Sequence, residues 1–194
     1  LLVPPPPSRA SPFHHPKHMP QALQVPTTAW LWALHSDSQD ALVQLCLTPR
    51  ALWKDVAALG LPLWLRSHAT LRAVVMRVAK ATFVRSKRDP FSCALLYVML
   101  GNDKVPVLAQ MFRLAQQAPV AKFLQQDFAL PKTRRKAAKN AYALLGKHRY
   151  STAAAFFVLA GRPDTAIATI LDHLHDPMLA MAVARLRGAD TPSS

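Results

Sequence analysis

The stretch KNAYALLGKHRYSTAAAFFVLAG, from Lys139 to Gly161, decides the fold. It holds two apolar runs of helical spacing joined by the short polar link around Gly146 to Arg149. In the first run Ala141, Leu144 and Leu145 share a face. In the second, Tyr150, Ala153, Ala154, Phe157 and Val158 fall at i, i+3, i+4, i+7 and i+8, the stripe of an amphipathic helix. A link this short makes the two helices antiparallel neighbours, and alanines set opposite aromatic rings let their backbones approach closely. This is the pattern of a tetratricopeptide-like helical hairpin, each unit covering its neighbour's apolar face.

The same texture runs on either side of this stretch, from Thr28 to the C-terminal end. Gly60, Gly101, Gly146, Gly161 and Gly188 each follow an apolar helical run, where a left-handed C-terminal cap favours glycine. Pro90, Pro131 and Pro177 mark first helical positions, and Asp89 and Asp176 stand where they can cap free N–H groups. Starts and stops together predict helices over 28–35, 38–47, 50–59, 67–86, 90–100, 103–117, 119–127, 131–145, 149–160, 163–173 and 177–187. No segment alternates with period two. The expected fold is all-α, an irregular α-solenoid of stacked helical hairpins over 28–190, since no strict 34-residue period is present; a closed helical bundle is the alternative. Residues 1–27 contain eight of the 17 prolines, Pro4 to Pro7 consecutively, and read as a disordered linker, with 191–194 as a disordered tail. His14, His15 and His18 lie in that linker without the scaffold a metal site needs. The chain opens on Leu1 and reads as a fragment of something longer.

The 194 residues carry a formal charge of +14, yet 51% are hydrophobic, enough apolar surface to fold. The excess sits in two windows free of acids. One holds Arg66, Arg72, Arg77, Lys80, Arg85, Lys87 and Arg88; the other holds Lys132, Arg134, Arg135, Lys136, Lys139, Lys147 and Arg149. Elsewhere the charges balance. Cys46 and Cys93 are isolated in apolar segments, which excludes a disulfide framework and fits a reducing compartment. The apolar runs are too short to span a bilayer.

No constellation of catalytic residues emerges. All ten acids are aspartates, and Asp37, Asp89, Asp103, Asp164 and Asp176 sit where helix caps are expected. His173 and His175 point to different faces of a helix and lack the glutamate of a helical zinc-protease motif. Gly146-Lys147 lacks the upstream glycine of a phosphate-binding loop. The chain therefore reads as a non-enzyme, with no cofactor and no metal. What remains is a candidate partner-binding face made of Arg72, Arg77, Lys80, Arg134, Arg135, Lys136 and Lys139, laid over a core that includes Trp53, Trp64, Tyr142, Leu145, Ala154 and Phe157. Such a face suits plain solvent, an acidic protein partner, anionic lipid headgroups or nucleic acid. Aromatic residues do not interleave with the charges, which argues against nucleic acid. Trp30, Trp32, Trp53 and Trp64 lie outside both windows and read as core.

Four stretches carry a family resemblance: RALWKDVAALGLPLWL from Arg50 to Leu65, CALLYVML from Cys93 to Leu100, the Lys139 to Gly161 run, and DPMLAMAVAR from Asp176 to Arg185. In order and without large gaps, from about Ala29 to Asp190, they resemble the shared helical region of the rabconnectin, or DmX-like, family. These are the large subunits of the RAVE complex, the regulator of the ATPase of vacuolar and endosomal membranes. The resemblance implies a scaffold, part of an α-solenoid that follows WD-repeat propellers. Implied partners are vacuolar ATPase subunits and RAVE accessory subunits, met in the cytoplasm at vacuolar or endosomal membranes, with peripheral contact to anionic membrane. The mechanism it implies is joining the pump's peripheral and membrane sectors through protein contacts. A basic nucleic-acid module and a vesicle-coat solenoid are the alternatives.

Overall fold

In the computed structural model, residues 39–188 are described, together with Thr28, Leu31, Trp32, His35 and Ser36; the N-terminal linker and C-terminal tail expected from sequence lie outside the described residues. The second helix of the deciding stretch is α9 (Tyr150–Leu159), and it lies at the centre of the molecule. Every residue from Thr152 to Ala160 is buried. The amphipathic stripe expected there is corrected to burial all round, because α8 (Pro131–Gly146), α5 (Ala94–Met99) and α10 (Pro163–Thr169) surround it. All of α5, and α9 from Thr152 onward, is covered by neighbours on every side, which is why both are almost wholly apolar.

The remaining elements form layers on this pair. On the N-terminal side α1 (Gln39–Cys46) buries Gln39, Leu42, Val43 and Cys46, a clean i, i+3, i+4, i+7 face. It is followed by α2 (Trp53–Ala58), whose Asp55 carboxylate accepts the Leu52 N–H at 2.8 Å and closes the first turn. Gly60, at φ +60°, then turns the chain into a short helix α3 (Leu61–Trp64), where the sequence reading had only a connection. The longest helix, α4 (His68–Arg85), starts on the Ser67 hydroxyl, which accepts the Thr70 N–H, and buries Leu71, Val74, Val75, Val78 and Ala79. The helix expected over 90–100 is split. Asp89 caps a single 3-10 turn, Pro90–Ser92, and α5 begins two residues later. A 3-10 turn, Asn102–Lys104, leads into α6 (Val105–Leu114), and α7 (Ala118–Leu124) packs against it. After α10 the backbone loosens into a π-turn, Ile170–Leu174, before α11 (Pro177–Gly188).

These helices stack as the solenoid-like, all-α arrangement expected, with no strand among the described residues. One packing relation reaches further than neighbour to neighbour. The last helix, α11, lies against α3, α4 and α5 as well as α10, so the C-terminal helix returns to the N-terminal layer. The side of α11 that is buried is apolar, Leu179, Ala180, Ala182, Val183 and Leu186, and two polar ties fix its position. Trp53 Nε1–H donates to Asp176 Oδ2 at 2.6 Å, and Arg185 Nη1 donates to the Pro62 carbonyl at 2.8 Å. Gln39, buried at the edge of the same layer, fixes the end of α3: its amide nitrogen donates to the Trp64 carbonyl and its amide oxygen accepts the Arg66 N–H.

Four helices end on one repeated turn. Arg88, Gln117, Arg149 and Arg162 donate their N–H to the carbonyls of Phe83, Phe112, Leu144 and Phe157, each five residues back. The left-handed residue just before the donor is Lys87, Gln116, His148 and Gly161 in turn. Glycine therefore serves at one of these four ends. Gly146 and Gly188, expected to be left-handed stops, are instead the closing residues of α8 and α11; at the first of these ends His148 takes the positive φ.

Candidate interaction surfaces

The chain of packing that links the two basic windows runs from α4 to α5, from α5 to α9 and from α9 to α8. Arg72, Arg77 and Lys80 are on α4; Arg134, Arg135, Lys136 and Lys139 are on α8. The seven residues grouped by sequence thus divide between two helices set on opposite partners of the α5–α9 pair.

On α4 the three differ. Arg72 Nη2 stands 3.7 Å from Asp103 Oδ1, and Lys104 Nζ is 2.8 Å from Asp103 Oδ2. The hydrogen bond from Lys104, aided by the charges of Lys104 and Arg72 and opposed by partial burial, holds the Asp103 carboxyl below its ordinary value. Asp103 therefore acts as a counter-ion, not as the helix cap expected. Gly101 makes the site possible. Its φ of +125° suits glycine, and a Cβ there would meet Asp103 Oδ1 at 2.8 Å. Lys80 is exposed, while Arg77 is half-buried, with Nε and Nη2 enclosed and without a hydrogen-bond partner among the described residues.

On α8 the inward residues are Thr133, Ala137, Ala138 and Ala141, so the basic run occupies the outer face. Arg134 is committed within the chain: its Nε donates to the Phe128 carbonyl at 2.7 Å and its guanidinium lies over Gly161. Arg135, Lys136 and Lys139 are exposed. Lys136 and Lys139, with Lys122 and Phe123 of α7, line an open groove of about 410 Å³.

The aromatic residues expected in the core separate as well. Phe157 and Ala154 are fully buried, and Trp53, Trp64 and Leu145 are partly buried against the core. Both indoles keep a polar edge, Trp53 on Asp176 and Trp64 on the Leu59 carbonyl at 2.9 Å. Tyr142 is corrected: it is 51% exposed, meeting Phe157 in a T-shaped contact at 5.0 Å while its hydroxyl reaches toward Arg162 on the surface. Trp32 is corrected too, at 78% exposed; Trp30 lies outside the described residues. Of the expected caps, Asp89 and Asp176 accept helix N–H groups, Asp164 sits one residue inside α10 without doing so, and Asp37 lies outside the described residues.

Sequence reasoning missed the role of Arg185, which joins α11 to α3, and that of Arg149, whose guanidinium lies 4.3 Å over the Phe91 ring. It also missed the ring cluster at the end of α8, where His148 Nδ1 is 2.6 Å from the Tyr150 hydroxyl and the Tyr150 ring stacks on His173 at 4.4 Å.

Neither thiol is poised for nucleophilic chemistry. Burial, then the Asp89 charge, pushes Cys93 up to about 12, and burial also raises Cys46. Among the described residues no cluster of three or more His, Cys, Asp or Glu side chains converges as metal ligands, and no helix is long and apolar enough to cross a membrane.

The family model described as RAVE protein 1 C terminal matches residues 11–193. DmX-like protein 1 of Homo sapiens is 34% identical over 171 residues, covering 87% of this chain and 6% of its own length. Two fungal relatives are each named Regulator of V-ATPase in vacuolar membrane protein 1. The one from Saccharomyces cerevisiae is 31% identical over 82% of this chain and 12% of its own length; the one from Schizosaccharomyces pombe is 32% identical over 91% of this chain and 14% of its own length. The chain thus spans a small part of the relatives it matches. The match takes in α1 to α11, the buried α5–α9 pair and the seam between α11 and α3, and the chain belongs to the RAVE protein 1 C terminal family.

Proposed function

We propose that this chain is a non-catalytic scaffold segment of a RAVE-type factor that promotes assembly of the vacuolar proton-translocating ATPase, working in the cytoplasm at the surface of vacuolar or endosomal membranes. The family match over residues 11–193 carries the reading, because relatives over the same stretch are named regulators of that ATPase. The physical logic is rigidity. Basic side chains mounted on helices anchored to a continuous apolar core present several contacts in fixed register, so modest individual affinities combine. The outward basic residues Arg135, Lys136 and Lys139 of α8 and the basic face of α4 are the surfaces through which it contacts pump subunits and RAVE accessory subunits.

Affinity purification of the chain from its source cell tests this. Recovery of vacuolar ATPase subunits is expected, reduced by a combined Arg135→Glu, Lys136→Glu, Lys139→Glu variant whose melting curve matches the parent's. A folded chain that returns only unrelated partners overturns the assignment. Arg134 is left out of the reversal because its bond to the Phe128 carbonyl makes it a structural tie.

A further inference from the structure

The basic surfaces are not equivalent in how their charge is satisfied. Arg72 and Lys104 share the Asp103 carboxylate. Arg134 is spent on a backbone carbonyl. The groove between α4 and the 49–52 segment is different. It has a volume of about 560 Å³, and its cationic wall is Arg50, Arg77, Lys80 and Arg85, with no acid among the lining residues. Leu52 and Val84 give it an apolar floor, and Val84 is 73% exposed. Arg77 is its least satisfied member. Its Nε and Nη2 are enclosed with no acceptor among the described residues, so the charge is uncompensated from within the chain, and Nη1, which is not enclosed, is the nitrogen that an incoming acceptor meets.

We propose that this groove is a docking site for an acidic peptide segment of a partner protein, in which Arg77 takes a carboxylate and Leu52 with Val84 receives a neighbouring aliphatic side chain. Charge complementarity selects this occupant over two closer to hand. A second copy of the chain carries a formal charge of +14 and would be repelled. The chain's own N-terminal stretch offers Asp37 as the single acid in residues 1–38, against Arg9 and Lys17. A carboxylate suits the open end of Arg77, whose Nη1 carries two N–H donors, in a groove where Arg50, Lys80 and Arg85 add positive charge. An aliphatic floor with no aromatic ring gives a nucleic-acid base nothing to stack on. The proposal rests on the reading of this chain as an interaction segment, but not on which assembly it serves.

The test uses the full 194-residue chain, labelled with 15N, and a synthetic Asp-Leu-Asp-Asp-Leu-Asp peptide with an Asn-for-Asp control. Saturable binding of the acidic peptide alone is expected, with a shift of the Arg77 Nε–H resonance, identified by its loss in Arg77→Lys. Arg77→Met and, independently, the rim variant Lys80→Glu each weaken binding by about tenfold or more, whereas Lys147→Glu, an exposed cation just past α8 and outside both grooves, changes it less than about twofold. Lys80 is exposed, so its variant reads the site even if Arg77→Met fails to fold. Undiminished binding by both groove variants overturns the proposal. So does an Arg77 resonance that responds to phosphatidylserine vesicles or single-stranded RNA but not to the peptide. No pump subunit is present in this titration, so its outcome and that of the affinity purification are read separately.

Discussion

Trp53 and Asp176, 123 positions apart, share a 2.6 Å hydrogen bond in which the indole N–H donates to Oδ2, while Oδ1 of the same carboxylate accepts the Leu179 N–H at 2.9 Å. One side chain thus caps α11 and fastens it to α2. Asp176→Ala loses both functions and is expected to cost about 2 to 4 kcal/mol, against about 1 kcal/mol for Trp53→Phe at the bond alone. A double-mutant cycle in urea should give a double variant less destabilised than the sum of the two. Additivity would show that the bond contributes nothing to stability.

The crossing of α8 and α9 sets a second expectation. Ala154 is fully enclosed, so Ala154→Leu overpacks the centre of the molecule and costs about 1 to 3 kcal/mol. Phe157→Ala leaves a cavity there and costs about 3 to 5 kcal/mol. Tyr142→Ala removes a half-exposed ring in T-shaped contact with Phe157 and is expected to cost about 0.5 to 1.5 kcal/mol. Thermal melts rank the three; a Tyr142 variant as damaged as the Phe157 variant would contradict the exposed position of the tyrosine.

Backbone conformation gives opposite signs at matched positions. Gln116 and His148 hold φ near +59° and +56° in turns of the same type as that of Gly161. Gln116→Gly is expected to raise stability by up to about 1 kcal/mol, because the left-handed region strains a residue with a Cβ. Gly101→Ala goes the other way, by about 1 to 3 kcal/mol or more: φ +125° with ψ 168° is a region open to glycine, and the added methyl displaces Asp103 from Arg72. Denaturant midpoints check both directions.

Stability should also fall in alkali. In the unfolded chain the Cys93 thiol ionises near its ordinary 9.0, whereas burial and the Asp89 charge hold it protonated up to about 12 in the folded chain. As pH rises above 9 the unfolded state releases a proton that the folded state keeps, so the equilibrium moves toward unfolding until the folded thiol titrates. Melts at pH 8 and pH 10.5 should therefore separate for the parent more than for Cys93→Ala, which shares every other titrating group. An equal separation would remove Cys93 as the cause. Below pH 9 the thiol should resist alkylation unless the chain is unfolded.

Much of the architecture was legible because its determinants are local. Proline at first positions located α8 and α11 to within a residue, and the alanine and phenylalanine spacing of 139–161 identified the central hairpin. The misreadings share a cause, which is dependence on partners distant in sequence. Spacing within α9 picks out one stripe, but Thr152, Ala155 and Phe156 on the other side are buried too, and only the neighbouring helices enclose them. Arg134 reads like Arg135 until Phe128 and Gly161 are brought beneath it. Asp103 resembles a cap until Arg72 folds over it from α4. The basic windows were visible as charge, but the distinction between satisfied and unsatisfied cations depends on acceptors that the sequence does not order in space.

The return of α11 to α3 sets the order in which a nascent chain can mature. The α8–α9 hairpin joins residues close in sequence and needs little loop closure, so it can form as soon as both helices emerge. The seam cannot. Pro62 waits for Arg185, 123 residues later, and until then the surfaces of α2 and α3 that it covers are uncovered. Synthesis therefore passes through a stage in which most of the helices exist and the molecule is not yet closed, and that interval is when chaperones would have to shield the N-terminal layer from aggregation.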